Sequence, residues 1–207
     1  MMLVFALALL LTVGWLALFI VNLRGSPYKF AYLSSLFAVI PLLWLAHVIK
    51  LPILTGDLTT FLIFSIFLAS LVLTTISDFC EMMVPRFCSI WLVPFWITFS
   101  ALGFTGIFFE YSMLGALVGY LLPRTIAWFF WKFSGKRGLG TGDIELTAMI
   151  GAFLGPHAAL MTLNLGAILG IIIGLPYLYF VRKNLYGKIP FAPALAAGAC
   201  ITLFFGI

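Results

Sequence analysis

The chain has 207 residues, 64% of them apolar, with 11 Lys and Arg against six Asp and Glu and a mean hydropathy of +1.24. Only 8% of its side chains are charged, where a soluble domain carries about a quarter. That composition excludes a water-soluble enzyme, a disordered tail and a nucleic-acid module with a solvated basic face. It fits an all-α integral membrane protein, counted in spans of ~20 apolar residues, in which each acid either sits in a loop or has a task.

The uncharged stretches 1–23, 30–49, 58–77, 87–109 and 189–207 give five spans directly. The first lacks a basic n-region and is too long for a signal-peptide core, so it reads as a membrane helix. Residues 113–131 give another, interrupted by Pro123-Arg124, whose kinked backbone and partly buried guanidinium neighbouring helices must satisfy. The 36 uncharged residues 146–181 would make roughly 54 Å of helix, enough for two crossings. Gly155-Pro156-His157 divides them, giving a short span at about 144–154 and a longer one at about 157–181. The expectation is a polytopic bundle of about eight transmembrane helices, one of them short. It forms a single transmembrane domain, with an N-terminal helix pair over 1–58 and a core over 59–207.

With eight spans, one set of loops holds Arg24, Lys29, Arg86, Lys132, Lys136, Arg137, Arg182, Lys183 and Lys188, and the other holds Lys50 alone. The positive-inside rule then puts the N-terminus outside. Topology thereby accounts for the net charge of +5, and nothing in it calls for nucleic acid.

Asp57 and Glu110 fall in outside loops and read as solvated charges. Asp78 and Glu81 close the third span, while Asp143 and Glu145 open the sixth, so both pairs reach one membrane face. They are open to a bland reading, as juxtamembrane charges pairing with Arg86 or Arg137. The run Gly138-Leu139-Gly140-Thr141-Gly142-Asp143 argues for more. Glycines at 140 and 142 permit positive φ and close approach of an extended strand, and the carboxylate falls at a helix N-terminus that favours its ionised form. A phosphate-binding loop is a weak competitor, since no strand precedes the run and no Lys-Ser/Thr ends it. Two carboxylates brought together share one proton, and the pair then supports aspartic-protease chemistry. A small transporter binding cations or protons through Asp78 and Asp143 is the alternative, as is an inactive scaffold in a secretion assembly.

Gly140-Thr141-Gly142-Asp143 resembles the Gly-x-Gly-Asp motif of intramembrane aspartyl proteases, and GTGDIELTAMIGAFLG resembles the type IV prepilin peptidases in particular. Asp78 ahead of Val84-Pro85 and the segment PFAPALAAGACITLFFG from Pro190 to Gly206 are similar to two further family features. The resemblance covers about residues 60–207. It implies that Asp78 and Asp143 are the catalytic pair, that Gly140 and Gly142 shape the substrate approach, and that no metal or other cofactor is needed. Glu81, Glu145 and Arg86 are the candidate neighbours toward substrate. The implied substrate is a pilin or pseudopilin precursor, cleaved in its basic leader at the cytoplasmic face of a bacterial or archaeal inner membrane. Two departures stand out: Glu145 occupies a position where the family often has Lys, and Arg86 one where it usually has Asp or Asn. Pairing of Arg86 with Glu145 across the site would compensate the exchange. Longer members carry a zinc-binding Cys-x-x-Cys insert and N-methylate the new terminus. Here the corresponding loop is about residues 22–29, and Cys80, Cys88 and Cys200 form no such pair, so no zinc site and no methyltransferase activity are expected.

His47 and His157 read as structural histidines. Trp128, Trp131, Tyr177 and Tyr179 read as interfacial anchors. Gly115 with Gly119, and Gly166 with Gly170, have the spacing of close helix contacts.

Overall fold

A computed structural model of the chain describes residues 58–135, 138–176, 179 and 189–205. The expected N-terminal helix pair, Asp57, His47, Tyr177 and the loop cations other than Arg86 and Lys132 lie outside those residues, as does the side of the membrane on which the chain begins. The described part contains helices and turns and no strand. Five long helices are α1 (Leu58–Glu81), α3 (Phe109–Ser134), α4 (Thr141–Leu154), α5 (Pro156–Pro176) and α6 (Ala192–Phe205), with a nine-residue α2 (Val93–Ala101) between the first two. Three segments are long and apolar enough to cross a membrane: Leu62–Glu81, Phe109–Ser134 and Pro156–Gly174.

The stretch 87–109, expected as one span, is not one helix. Two 3-10 turns, Arg86–Cys88 and Ile90–Leu92, precede α2, and Gly103 and Gly106 at φ 81° and 78° turn the chain into α3. Pro85 and Pro94 bracket the opening of this segment and withhold two amide donors from any helix through it. Pro123, expected to interrupt its span, is instead absorbed within the 26 residues of α3, and Arg124 is exposed rather than partly buried. Between α4 and α5 the turn falls at Gly155, φ 93°, with Pro156 opening the next helix, the position where its missing N–H costs nothing.

The central helix is α4, with nine of its 14 residues buried. Phe153 on it stacks on Phe67 of α1 at 4.0 Å between ring centroids and meets Phe64 and Trp96 edge-on at 4.8 and 4.9 Å. Aromatic pairs in such geometries add to their area burial. Two buried hydroxyls in α1 are satisfied inside their own helix: Ser70 and Thr74 donate to the carbonyls of Phe67 and Leu71, as an apolar surround requires.

Glycines set the helix spacing. A Cβ on Gly115 would meet the carbonyl of Gly151 and one on Gly119 that of Thr147, so α3 and α4 run antiparallel with backbones touching. Ser112 on the same face donates to the Ala152 carbonyl at 2.6 Å. Gly166 against Leu195 and Gly170 against Phe191 do the same for α5 and α6, replacing the hydrophobic effect that lipid does not supply. Gly119→Ala therefore has backbone, not a flexible side chain, in its way, and about 1–3 kcal/mol of destabilisation is expected from such overpacking. A lowered thermal midpoint of the purified protein in detergent checks this. The two antiparallel pairs gather the C-termini of α1, α3 and α5 and the N-termini of α4 and α6 at one end of the bundle.

Candidate active site

That end carries Asp78, Glu81, Asp143 and Glu145. Asp78 lies in the last turn of α1 and is 7% exposed. A bare buried carboxylate is costly, and this one is met by main-chain donors. The Ala192 amide donates to Asp78 Oδ2 at 2.9 Å, and the Phe191 amide also hydrogen-bonds the carboxylate. Both belong to the start of α6, whose dipole adds positive potential there. Beyond Asp78 the helix stops: the Met82 amide still reaches the Asp78 carbonyl at 3.1 Å, but Met82 takes the left-handed conformation at φ 54°. This turn is strained for a residue with a Cβ, and it aims Met82, Met83 and Val84 along the site.

Asp143 is the third residue of α4 and partly buried. Its carboxylate reaches back to the Gly140 amide at the helix start, the acidic arm of a capping box. Burial first and the Asp78 charge second push its pKa up to about 7, against the Gly140 amide, which favours the ionised form. The two carboxylates thus sense each other, and both line a cavity of about 280 Å³ together with Met82, Val84, Thr141 and Gly142.

The glycines act through their missing Cβ, not through positive φ. Gly140 has φ −72° and ψ 148°, and a Cβ there would lie 2.9 Å from Asp143 Oδ2. Gly142 is helical and abuts Val84, whose Cβ a side chain at 142 would meet at 2.8 Å. The first glycine therefore makes room for the Asp143 carboxylate, and the second lets the Asp78 turn close onto the Asp143 helix.

Of the neighbours, Arg86 and Glu145 reach the cavity rim and pair, with Nε 3.7 Å from Oε1. Ser89 Oγ donates to Glu145 Oε2 at 3.5 Å. The guanidinium is 72% exposed, so the pair contributes little energy. Glu81 does not line the cavity; it sits beside Cys80. His157 is exposed at the start of α5, and Glu110 is exposed in the first turn of α3, where an acid suits the dipole. Among the described residues no three His, Cys, Asp or Glu side chains gather as a metal site. The amides of Phe191 and Ala192 were not foreseen as part of the site. Their signal was the proline-flanked opening of the last helix, Pro190-Phe191-Ala192-Pro193.

An all-helical membrane protein that holds two acidic side chains in one cavity, at the mouth of its bundle, is the class these features define. The chain belongs to the type IV leader peptidase family, whose model matches residues 63–175. Similar curated proteins are each named "Prepilin leader peptidase/N-methyltransferase". The one from Burkholderia pseudomallei (strain 1026b) is 37% identical over 55% of this chain and 35% of its own length. That from Pseudomonas putida is 40% identical over 46% and 33%, and that from Aeromonas hydrophila 32% over 66% and 47%. The chain thus spans about a third to about half the length of these relatives. No solved structure matches.

Proposed function

We propose that the protein is a membrane-embedded aspartyl endopeptidase that removes the leader of type IV pilin-like precursors at the cytoplasmic membrane face. One observation carries this reading: Asp78 and Asp143, 65 positions apart in sequence, line one cavity at the end of an apolar bundle. The Ala192 amide donates to the Asp78 carboxylate, which supports Asp78 as the base, and the Asp143 pKa raised to about 7 supports Asp143 as the acid.

In the first step Asp78 takes a proton from water as the water oxygen bonds to the scissile carbonyl carbon. Asp143 passes its proton to the carbonyl oxygen, giving a neutral gem-diol. When the C–N bond breaks, the leaving nitrogen takes the proton from Asp78, and Asp143 recovers its own as the carbonyl re-forms. No cofactor enters this cycle. The precursor's apolar helix stays in the bilayer and presents an extended leader to the cavity rim, where Glu145 offers a counter-charge to a basic leader. Co-expression with a candidate precursor, followed by gel shift, tests the reading; absence of any cleavage of pilin-like precursors by the wild type would overturn it.

Two smaller expectations follow. Reversing Arg86 or Glu145 alone should lower cleavage a few-fold, since an exposed pair is worth at most about 1 kcal/mol, and the double exchange Arg86→Glu with Glu145→Arg should restore part of the loss; rates of all three variants measure it. No methyltransferase activity is proposed, because the chain holds no Cys-x-x-Cys pair. The mature product should therefore keep an unmethylated amino terminus, which its mass reports.

A further inference from the structure

A second cavity, about 370 Å³, lies beside the active site on the outer side of α3. Arg124, Ala127, Trp128 and Trp131 form one stripe of that helix, at i, i+3, i+4 and i+7, and face Gly138 and Thr141 of the glycine-rich approach. Thr141 lines both cavities. The helix is a candidate span with only 17% of its window buried inside the protein, and we take its uncovered surface to face lipid.

Arg124 is the anomaly on that surface. With Glu110 marking one water boundary, a hydrocarbon core of ~30 Å ends roughly 20 residues later, near Phe130, which leaves Arg124 about 9 Å inside it. A guanidinium there is costly unless it finds an anion or reaches the interface. Among the described residues no carboxylate pairs with Arg124; its neighbour is the Tyr120 ring, 5.9 Å from Cζ to the centroid. That contact eases desolvation without neutralising the charge. Above it lie Trp128 and Trp131, residues suited to head-group depth, and Lys132 Nζ stands 4.9 Å over the Trp128 ring as a second cation. An open space lined by a cation and indole rings, on a lipid-facing helix near one membrane surface, matches a phosphate diester whose acyl chains continue down the helix.

We propose that this cavity binds the head group of an anionic membrane phospholipid, with Arg124 meeting its phosphate and Trp128 and Trp131 flanking it. The site is separate from the dyad, and binding is read without reference to proteolysis. The expected preference for anionic over neutral lipid is about fivefold, or about 1 kcal/mol.

The test uses the full chain in phosphatidylcholine nanodiscs containing either brominated phosphatidylglycerol or brominated phosphatidylcholine at matched bromine content, with tryptophan fluorescence as readout. The expected result is stronger quenching by the anionic lipid, with the excess lost in Arg124→Gln, kept in Arg124→Lys, and lost when Trp128 and Trp131 are both changed to Phe. Equal quenching by the two lipids, or an excess that survives Arg124→Gln, overturns the proposal. Removal of the excess by millimolar inorganic phosphate would assign the site to a free anion instead. Capture of a pilin-like precursor in place of lipid, by a photo-crosslinking residue at position 127, would assign it to a protein helix. Either outcome overturns the lipid assignment.

Discussion

Changing Asp78 or Asp143 to Asn is expected to lower precursor cleavage by about 10³-fold or more while leaving the protein in the membrane at wild-type abundance. In the proposed mechanism each residue carries proton transfer at the reacting carbonyl, and a positioned acid or base contributes typically 10²- to 10⁴-fold. Members of one proton-sharing unit are not additive, so the double variant should be no slower than the worse single one. Asn keeps the shape of either side chain, and the α6 amides can still donate to an amide oxygen at 78, so loss of chemistry separates from loss of fold. Gel shift of a co-expressed precursor reads the rate. A stable Asn variant that processes at the wild-type rate removes the dyad from the mechanism and would favour the transporter reading.

The same pair sets a pH limit. In the proposed mechanism Asp143 must hold a proton to polarise the carbonyl, and its pKa is raised to about 7 by burial and by Asp78. Above that value it ionises, so kcat/KM should fall tenfold per pH unit once pH exceeds about 7, until another step limits. The sign is opposite to that for a base with the same pKa, whose activity would rise through this range. A profile flat from pH 6 to pH 9 would mean that Asp143 does not serve as the acid.

Much of this site was legible without coordinates because its parts are sparse and local. In a chain with six acids, parity of the spans is enough to put Asp78 and Asp143 on one face, and the glycine run marks the helix start that holds the second. The glycines' role was not legible in the same way. Gly140 and Gly142 invite a reading by φ, yet both act by leaving room, for a carboxylate and for Val84, and room depends on partners that sequence spacing does not reveal. The break within the fourth uncharged stretch was hidden for a related reason. The stretch 87–109 is uncharged throughout, but Pro85 just ahead of it, Pro94 within it and the turn glycines 103 and 106 outweigh that, because each removes a donor or demands a conformation that continuous helix cannot supply. Arg124 belongs with these cases: its place inside an apolar run suggests burial in a bundle, whereas the packing of Gly115 and Gly119 on α4 turns the opposite face of α3, with its cations and indoles, outward.

The α6 amides suggest a second experiment with a large effect, Ala192→Pro. Ala192 is the first residue of its helix, where proline's fixed φ is favourable and no intrahelical bond depends on the missing N–H. The change keeps the helical start of α6 but removes one donor from Asp78 and puts proline's Cδ where the amide hydrogen pointed, so the carboxylate must also shift. A hydrogen bond to a charged group is worth about 1.5–3 kcal/mol, so cleavage should fall about 10- to 100-fold. The effect should be on kcat more than on KM, because the contact holds a reacting group and does not touch substrate. Ala192→Gly keeps the N–H and should retain most of the activity, which distinguishes loss of the donor from disturbed packing of this buried residue. The pH profile gives an independent readout. Loss of the donor should change the acid limb of kcat/KM in Ala192→Pro and leave it unchanged in Ala192→Gly. If the proline variant cleaves at the wild-type rate with an unchanged profile, the amide serves the fold and not the ionisation of Asp78.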